Sequence, residues 1–204
     1  MSLEIRAVVF DLGGVLIDWN PRYVYRQIFP TEEEVEWFLE NITTLAWNEQ
    51  QDAGYPIAQA TEELVARHPE WESQIRAYYE RWKEMLADPI AGSVELFRKL
   101  KENSRLKFYA LTNWSAELFP YALENFYFLQ WFDGIVVSGE EKMRKPQPEI
   151  FRLLLERYGL QAGDTLFVDD NLRNVKAAEA IGLPALHFSS PQTLEKDFRR
   201  LGLL

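Results

Sequence analysis

The chain has 204 residues, 47% of them hydrophobic and 26% charged, which suits one compact globular domain plus a small inserted module and excludes a disordered chain. Its net charge of -10 opposes phosphate backbones and anionic lipid heads, so neither nucleic acid nor membrane is expected as a partner. The absence of cysteine excludes disulfides, thiolate catalysis and Cys-ligated metals, and no apolar run reaches the length of a membrane span.

Met1 to Arg6 lacks the basic region and apolar stretch of a signal peptide, so the expected location is the cytoplasm. Ile5 to Phe10 is a β-branched and aromatic run ending at Asp11-Leu12-Gly13-Gly14, the pattern of a buried parallel strand followed by a glycine turn. From about Pro21 to Asp88 the pattern reads as helices only. Thr31 with Glu34 forms a capping box ahead of Val35, Phe38 and Leu39. Two more helices are expected over Thr61 to Ala66 and Glu70 to Leu86, parted by His68-Pro69, and Glu32 to Glu34 reads as a solvated first turn. Trp37, Trp47, Trp71 and Trp82 lie in this block and read as its core. Trp47, Asn48 and Gln51, ahead of Asp52-Ala53-Gly54-Tyr55, are expected to form a specificity loop over the site.

Past Asp88, helical and strand patterns alternate. Helix faces are expected at Val94, Leu96, Phe97 and Leu100; at Ile150, Leu153, Leu154 and Tyr158, opened by Pro148; at Val175, Ala178 and Ile181, stopped by Gly182; and at Leu194, Phe198 and Leu201. Between them lie strands at Leu106 to Leu111, Gly134 to Val137, Thr165 to Val168 and Ala185 to Phe188. The expected fold is therefore α/β, a doubly wound, Rossmann-like, five-stranded parallel sheet (residues 1–18 and 89–204) with an inserted all-helical cap (19–88).

Ligands of such sheets sit beyond the carboxyl ends of the strands. Those ends carry Asp11, then Thr112 and Asn113, then Lys145, then Asp169, Asp170 and Asn174. Each has a role if the ligand is a phosphate ester. Asp11 could attack phosphorus, splitting one hard hydrolysis into two easier steps. Its attack on an anion needs a divalent cation, and Mg²⁺ prefers oxygen ligands of the kind offered by Asp11, Asp170 and the Gly13 carbonyl. Asp169 and Asn174 could orient bound waters, Thr112 could hold phosphoryl oxygens, and Lys145 could offset charge in the transition state. The bland readings are a turn aspartate, a helix-capping Asp pair and a solvated lysine. Arg144 beside Lys145 reads as solvated, and His68 and His187 read as surface or satisfied core.

Phe10 to Leu16, Leu111-Thr112-Asn113, Lys145 to Phe151, and Phe167 to Asn171 with Asn174 and Ala177-Ala178 resemble, in order, the four motifs of the haloacid-dehalogenase-like hydrolases. The resemblance implies a core with the first strand central, a helical cap of the first type, Mg²⁺ as cofactor, and a substrate that is a small phosphorylated metabolite such as a sugar phosphate. The bacterial sugar-phosphate phosphatases with an Asp-x-Gly first motif are most similar. Most phosphatases of the family carry an Asp two residues after the nucleophile, as general acid and base; here that position is Gly13. Two alternatives stand beside the phosphatase: a metal-independent 2-haloacid dehalogenase, for which the sequence assigns no carboxylate slot although Arg22 or Arg26 could serve, and a binding protein that has lost catalysis. A monomer or homodimer is expected.

Overall fold

The computed structural model describes residues 4–103 and 105–204. Five strands form one parallel sheet: β1 (Ala7–Phe10), β4 (Lys107–Thr112), β5 (Gly134–Val137), β6 (Thr165–Asp169) and β7 (Ala185–His187), in the spatial order β5-β4-β1-β6-β7. Successive β1 side chains point to opposite faces, and both faces are covered, so all four of its residues are buried. Val8 and Phe10 enter an aromatic core with Phe97, Phe108 and Phe198; Ala7 and Val9 enter a second core with Ile150, Phe151, Leu154 and Phe167. Helices α6 (Ala91–Leu100) and α11 (Pro191–Arg200) cover the first face, and α9 (Pro148–Tyr158) and α10 (Leu172–Ala180) the second. The doubly wound, five-stranded core is the one expected, and each strand lies within two residues of its predicted bounds.

The strand order reverses between β1 and β6, which pair in register from Ala7 with Thr165 to Phe10 with Val168. A crevice opens at such a reversal, beyond the carboxyl ends. Asp11 and the Asp169-Asp170 pair both stand at that crevice.

Between β1 and α6 the chain forms α1 (Arg22–Tyr25), α2 (Glu32–Asn41), α3 (Leu45–Asp52), α4 (Ile57–Arg67) and α5 (Glu72–Glu80). The predicted capping box is present at Thr31 and Glu34. Three features differ from expectation. Trp37, read as core, is 47% exposed. The block is rooted in a two-stranded antiparallel ribbon, β2 (Ile17–Trp19) with β3 (Leu86–Pro89), so its last residues are strand and not helix. The segment expected as a loop at Trp47, Asn48 and Gln51 is helix α3, capped by the Thr44 hydroxyl, which accepts from the Trp47 amide at 3.1 Å. Shorter helices α7 (Phe119–Asn125) and α8 (Ser138–Glu141) complete the chain. Among the described residues no helix is long and apolar enough to cross a membrane.

Candidate active site

A cavity of about 320 Å³ lies between the carboxyl ends of the sheet and the inserted helices. Asp11, Gly13, Gly14, Asn113, Asp170 and Asn174 form its floor. The first glycine turn explains its own composition. Gly14 has a φ of +75°, and a Cβ there would come within 2.3 Å of the Asp170 Oδ2, so only glycine fits. Gly13 has neither constraint: its φ is ordinary, and a Cβ would meet nothing within 4 Å.

The carboxylates of Asp11, Asp169 and Asp170 converge, with one oxygen of each inside a 4.8 Å cluster. Lys145 is wholly buried beneath them; its Nζ lies 2.9 Å from Asp11 Oδ1 and 2.7 Å from Asp169 Oδ2. Burial pulls the Lys145 ammonium towards neutrality, but the charges of Asp11 and Asp169 outweigh it and hold its pKa above the usual lysine value. Burial pushes the Asp11 carboxyl well up, opposed by Lys145 and reinforced by Asp169 and Asp170. Asp170 is also raised, by burial and then by the charge of Asp169. Three carboxylates and one ammonium thus share a poorly solvated space, an arrangement that a divalent cation would relieve.

Asp169 has a different environment from its neighbour. It accepts from Lys145, from both approaches of the Asn174 amide at 3.1 Å, and from the Asn171 amide at 2.8 Å. Its oxygens are occupied, whereas the Asp170 carboxylate reaches the cavity. Asn113 clamps the backbone of Lys145 from both sides: its amide nitrogen donates to the Lys145 carbonyl, and its oxygen accepts from the Lys145 amide, each at 2.9 Å. Thr112 ends β4 with its hydroxyl buried and, among the described residues, without a hydrogen-bond partner.

The residues expected to select substrate separate. Asn48 lines the cavity. Trp47 and Gln51 do not, because a helix turns them inward: Trp47 packs on Tyr78 and Tyr79 with its indole nitrogen 3.4 Å from the Ala60 carbonyl, and Gln51 accepts from the Tyr79 hydroxyl. Arg144 is not a solvated loop residue. Together with Arg173 it grips Glu49 of α3, its own guanidinium 2.8 Å from that carboxylate. Glu49, Asp52, Arg144 and Arg173 were invisible as site residues because charged residues on short polar segments ordinarily face water. Arg22 and Arg26 pair with Glu36 and Glu32 and do not line the cavity.

Residues 5–182 match the family model of the haloacid dehalogenase-like hydrolases. The chain belongs to that family. A sesquiterpene phosphatase of Aspergillus oryzae is 31% identical over 201 residues, which is 98% of each chain. The phosphorylated carbohydrates phosphatase of Thermotoga maritima is 24% identical and covers 90% of this chain and 84% of its own. A family enzyme of Bacteroides thetaiotaomicron, solved as a magnesium complex, superposes with a TM-score of 0.73 at 25% identity, covering 96% of this chain and 98% of its own. This family member is therefore a hydrolase of the phosphatase type.

Proposed function

We propose that this hydrolase cleaves a small phosphate monoester through a phosphoryl group carried on Asp11, with Mg²⁺ as cofactor. The observation that carries the reading is the convergence of Asp11, Asp169 and Asp170 around one buried ammonium. The donor set fits the cation: Asp11, Asp170 and the Gly13 carbonyl would hold it as hard oxygen ligands, with Asp169 and Asn174 behind them. When bound, Mg²⁺ would screen the nucleophile from the substrate's negative charge. Asn174 Oδ1 is buried without a partner among the described residues, as befits a group that orients a ligand water.

Asp11 attacks phosphorus, and the bond to the leaving oxygen breaks. Lys145 holds Asp11 in place and spreads positive charge beneath it. The Thr112 hydroxyl, lacking a protein partner, is available to a phosphoryl oxygen. Asn113 fixes Lys145 through its backbone while forming part of the cavity floor.

The cavity's outer wall consists of Trp19, Leu45, Tyr79, Trp82, Trp114 and Leu118. So much apolar surface favours an alcohol with an apolar body over a heavily hydroxylated sugar. The dehalogenase reading loses its proposed carboxylate slot, since Arg22 and Arg26 point elsewhere.

The test is turnover of an aryl phosphate with and without a chelator. Activity should vanish on chelation and return with Mg²⁺, and Asp170→Ala should weaken the metal response more than Asp169→Ala. Chelator-resistant chloride release from 2-chloropropionate, with no phosphate release from any ester, would transfer the chain to the dehalogenases. A panel comparing prenyl-type and sugar phosphates then reads the substrate class.

A further inference from the structure

We propose that Asp52 is the catalytic acid that gives a proton to the leaving alcohol oxygen, the duty that Gly13 has no side chain to perform. The proposal rests on the phosphatase reading above.

The acidic groups that line the cavity are Asp11, Glu49, Asp52, Tyr79 and Asp170. Asp11 and Asp170 belong to the nucleophile and metal cluster. Glu49 has one oxygen on Arg144 and the other on Arg173, so neither is available to hand over a proton. The Tyr79 hydroxyl is engaged by Asn48 and Gln51, and burial holds it far above the ordinary phenol range. Asp52 remains. Its Oδ2 accepts from the Asn48 amide at 3.0 Å, which orients the carboxyl.

Although Asp52 ends a cap helix, it is fixed to the core. The Ser138 hydroxyl, just past β5, donates to the Asp52 carbonyl and itself accepts from the Trp114 amide at 2.9 Å. Two residues on, Gly54 has a φ of +88°, and a Cβ there would lie 2.8 Å from the Gly139 carbonyl. Only glycine allows so close an approach. The carboxyl lines the cavity, against the backbone amide of Ser115 in the loop that follows Asn113.

The surroundings also set its proton affinity. Burial and then the charge of Glu49 push the Asp52 carboxyl up to about 7, against the pull of Arg144, Lys145 and the Ser115 amide. Tyr78 and Tyr79, on α5, face it as neutral phenols. An acid of this strength keeps a large protonated fraction near neutral pH and loses its proton readily.

The step balances. An Asp11 oxygen forms a bond to phosphorus, and the bond from phosphorus to the alcohol oxygen breaks. The electron pair left on that oxygen takes the Asp52 proton, and the alcohol departs neutral. Asp52, now a carboxylate, accepts a proton from the water that later cleaves the phosphoryl–Asp11 ester.

The test compares wild type and Asp52→Asn with an alkyl phosphate and with p-nitrophenyl phosphate, whose leaving group needs no proton. The rate of phosphoryl transfer is read in the pre-steady state. Alkyl transfer should fall by about a hundredfold to ten-thousandfold, while the nitrophenol burst changes by less than about fivefold. Wild-type alkyl turnover should decline as pH rises through about 7, where Asp52 deprotonates, and this limb should be missing from the Asn variant. Adding Gly13→Asp to Asp52→Asn should restore alkyl turnover selectively, because the space at Gly13 is open. Equal losses for both esters with the basic limb intact would reduce Asp52 to a structural residue and overturn the proposal, leaving the phosphatase reading in place. Failure of the wild type to release phosphate from either ester in Mg²⁺ would instead remove the phosphatase reading on which the proposal stands.

Discussion

Asp11, the proposed nucleophile, combines burial, a lysine partner and two neighbouring carboxylates. Asp11→Asn should cut turnover by at least about a thousandfold with the fold intact, since an amide is a poor nucleophile and a poor Mg²⁺ ligand; circular dichroism and single-turnover kinetics check the two halves. The two adjacent glycines make a sharper comparison. Gly13→Ala should alter stability by less than about 0.5 kcal/mol in a urea titration. Gly14→Ala should destabilise by more than about 1 kcal/mol and blunt the Mg²⁺ response, because its methyl group would displace Asp170 from a backbone already at positive φ. Asp52 carries a stability signature as well. Its folded-state pKa of about 7 lies above the ordinary carboxyl value of 3.8, so its contribution is most favourable below the latter and is lost as pH rises through the former. Asp52→Asn should therefore raise the melting temperature more at pH 8 than at pH 5. An equal shift at both would place the Asp52 carboxyl in an ordinary solvated environment.

At the level of elements, the sheet was legible and helix α3 was not. The runs Ala7–Phe10 and Thr165–Asp169 are buried on both faces, so unbroken apolar sequence identifies them without ambiguity. The termini Gly134 and Val137 coincide with the predicted strand. In α3 the buried residues Asn48, Glu49 and Gln51 are polar, and a helix that buries polar groups lacks the apolar stripe by which helices are recognised. Its partners, Arg144, Arg173, Tyr79 and Ser138, come from distant segments, which no local pattern reveals. The motif residues Asp11, Lys145 and Asp169 were legible because each follows or ends a clear strand or sits in an ordered set of motifs, although the two-sided clamp of Asn113 on Lys145 was not. If residues 19–88 act as the expected lid, its two crossings pair as β2 and β3, so we expect them to bend together, with Glu49 as the latch. Glu49→Gln should open the cavity mouth, seen as faster amide exchange in α3 with little change in the protection of β1 and β6.

One aromatic cluster fills the core on one face of the central strand. Phe97 lies 5.2 Å from both Phe10 and Phe108, ring centre to ring centre, and 4.7 Å from Phe132. Phe97→Ala should cost about 3–5 kcal/mol in chemical denaturation, since the surrounding rings cannot collapse into the space. The site just beyond the carboxyl end of that strand has a different economy. Three carboxylates face a single buried ammonium, so the rim is an anionic hole in an already acidic protein. An incoming phosphate would meet repulsion there unless a divalent cation arrived with it. Cation and anion should consequently act as mutual effectors: each tightens the other's binding by the same factor, as thermodynamic linkage requires. Inorganic phosphate should be a weak ligand in chelator and a strong one in millimolar Mg²⁺, and calorimetric titrations in either order should return one coupling constant. The hydrolase would then release its two products under ionic control, holding phosphate only as long as the metal stays.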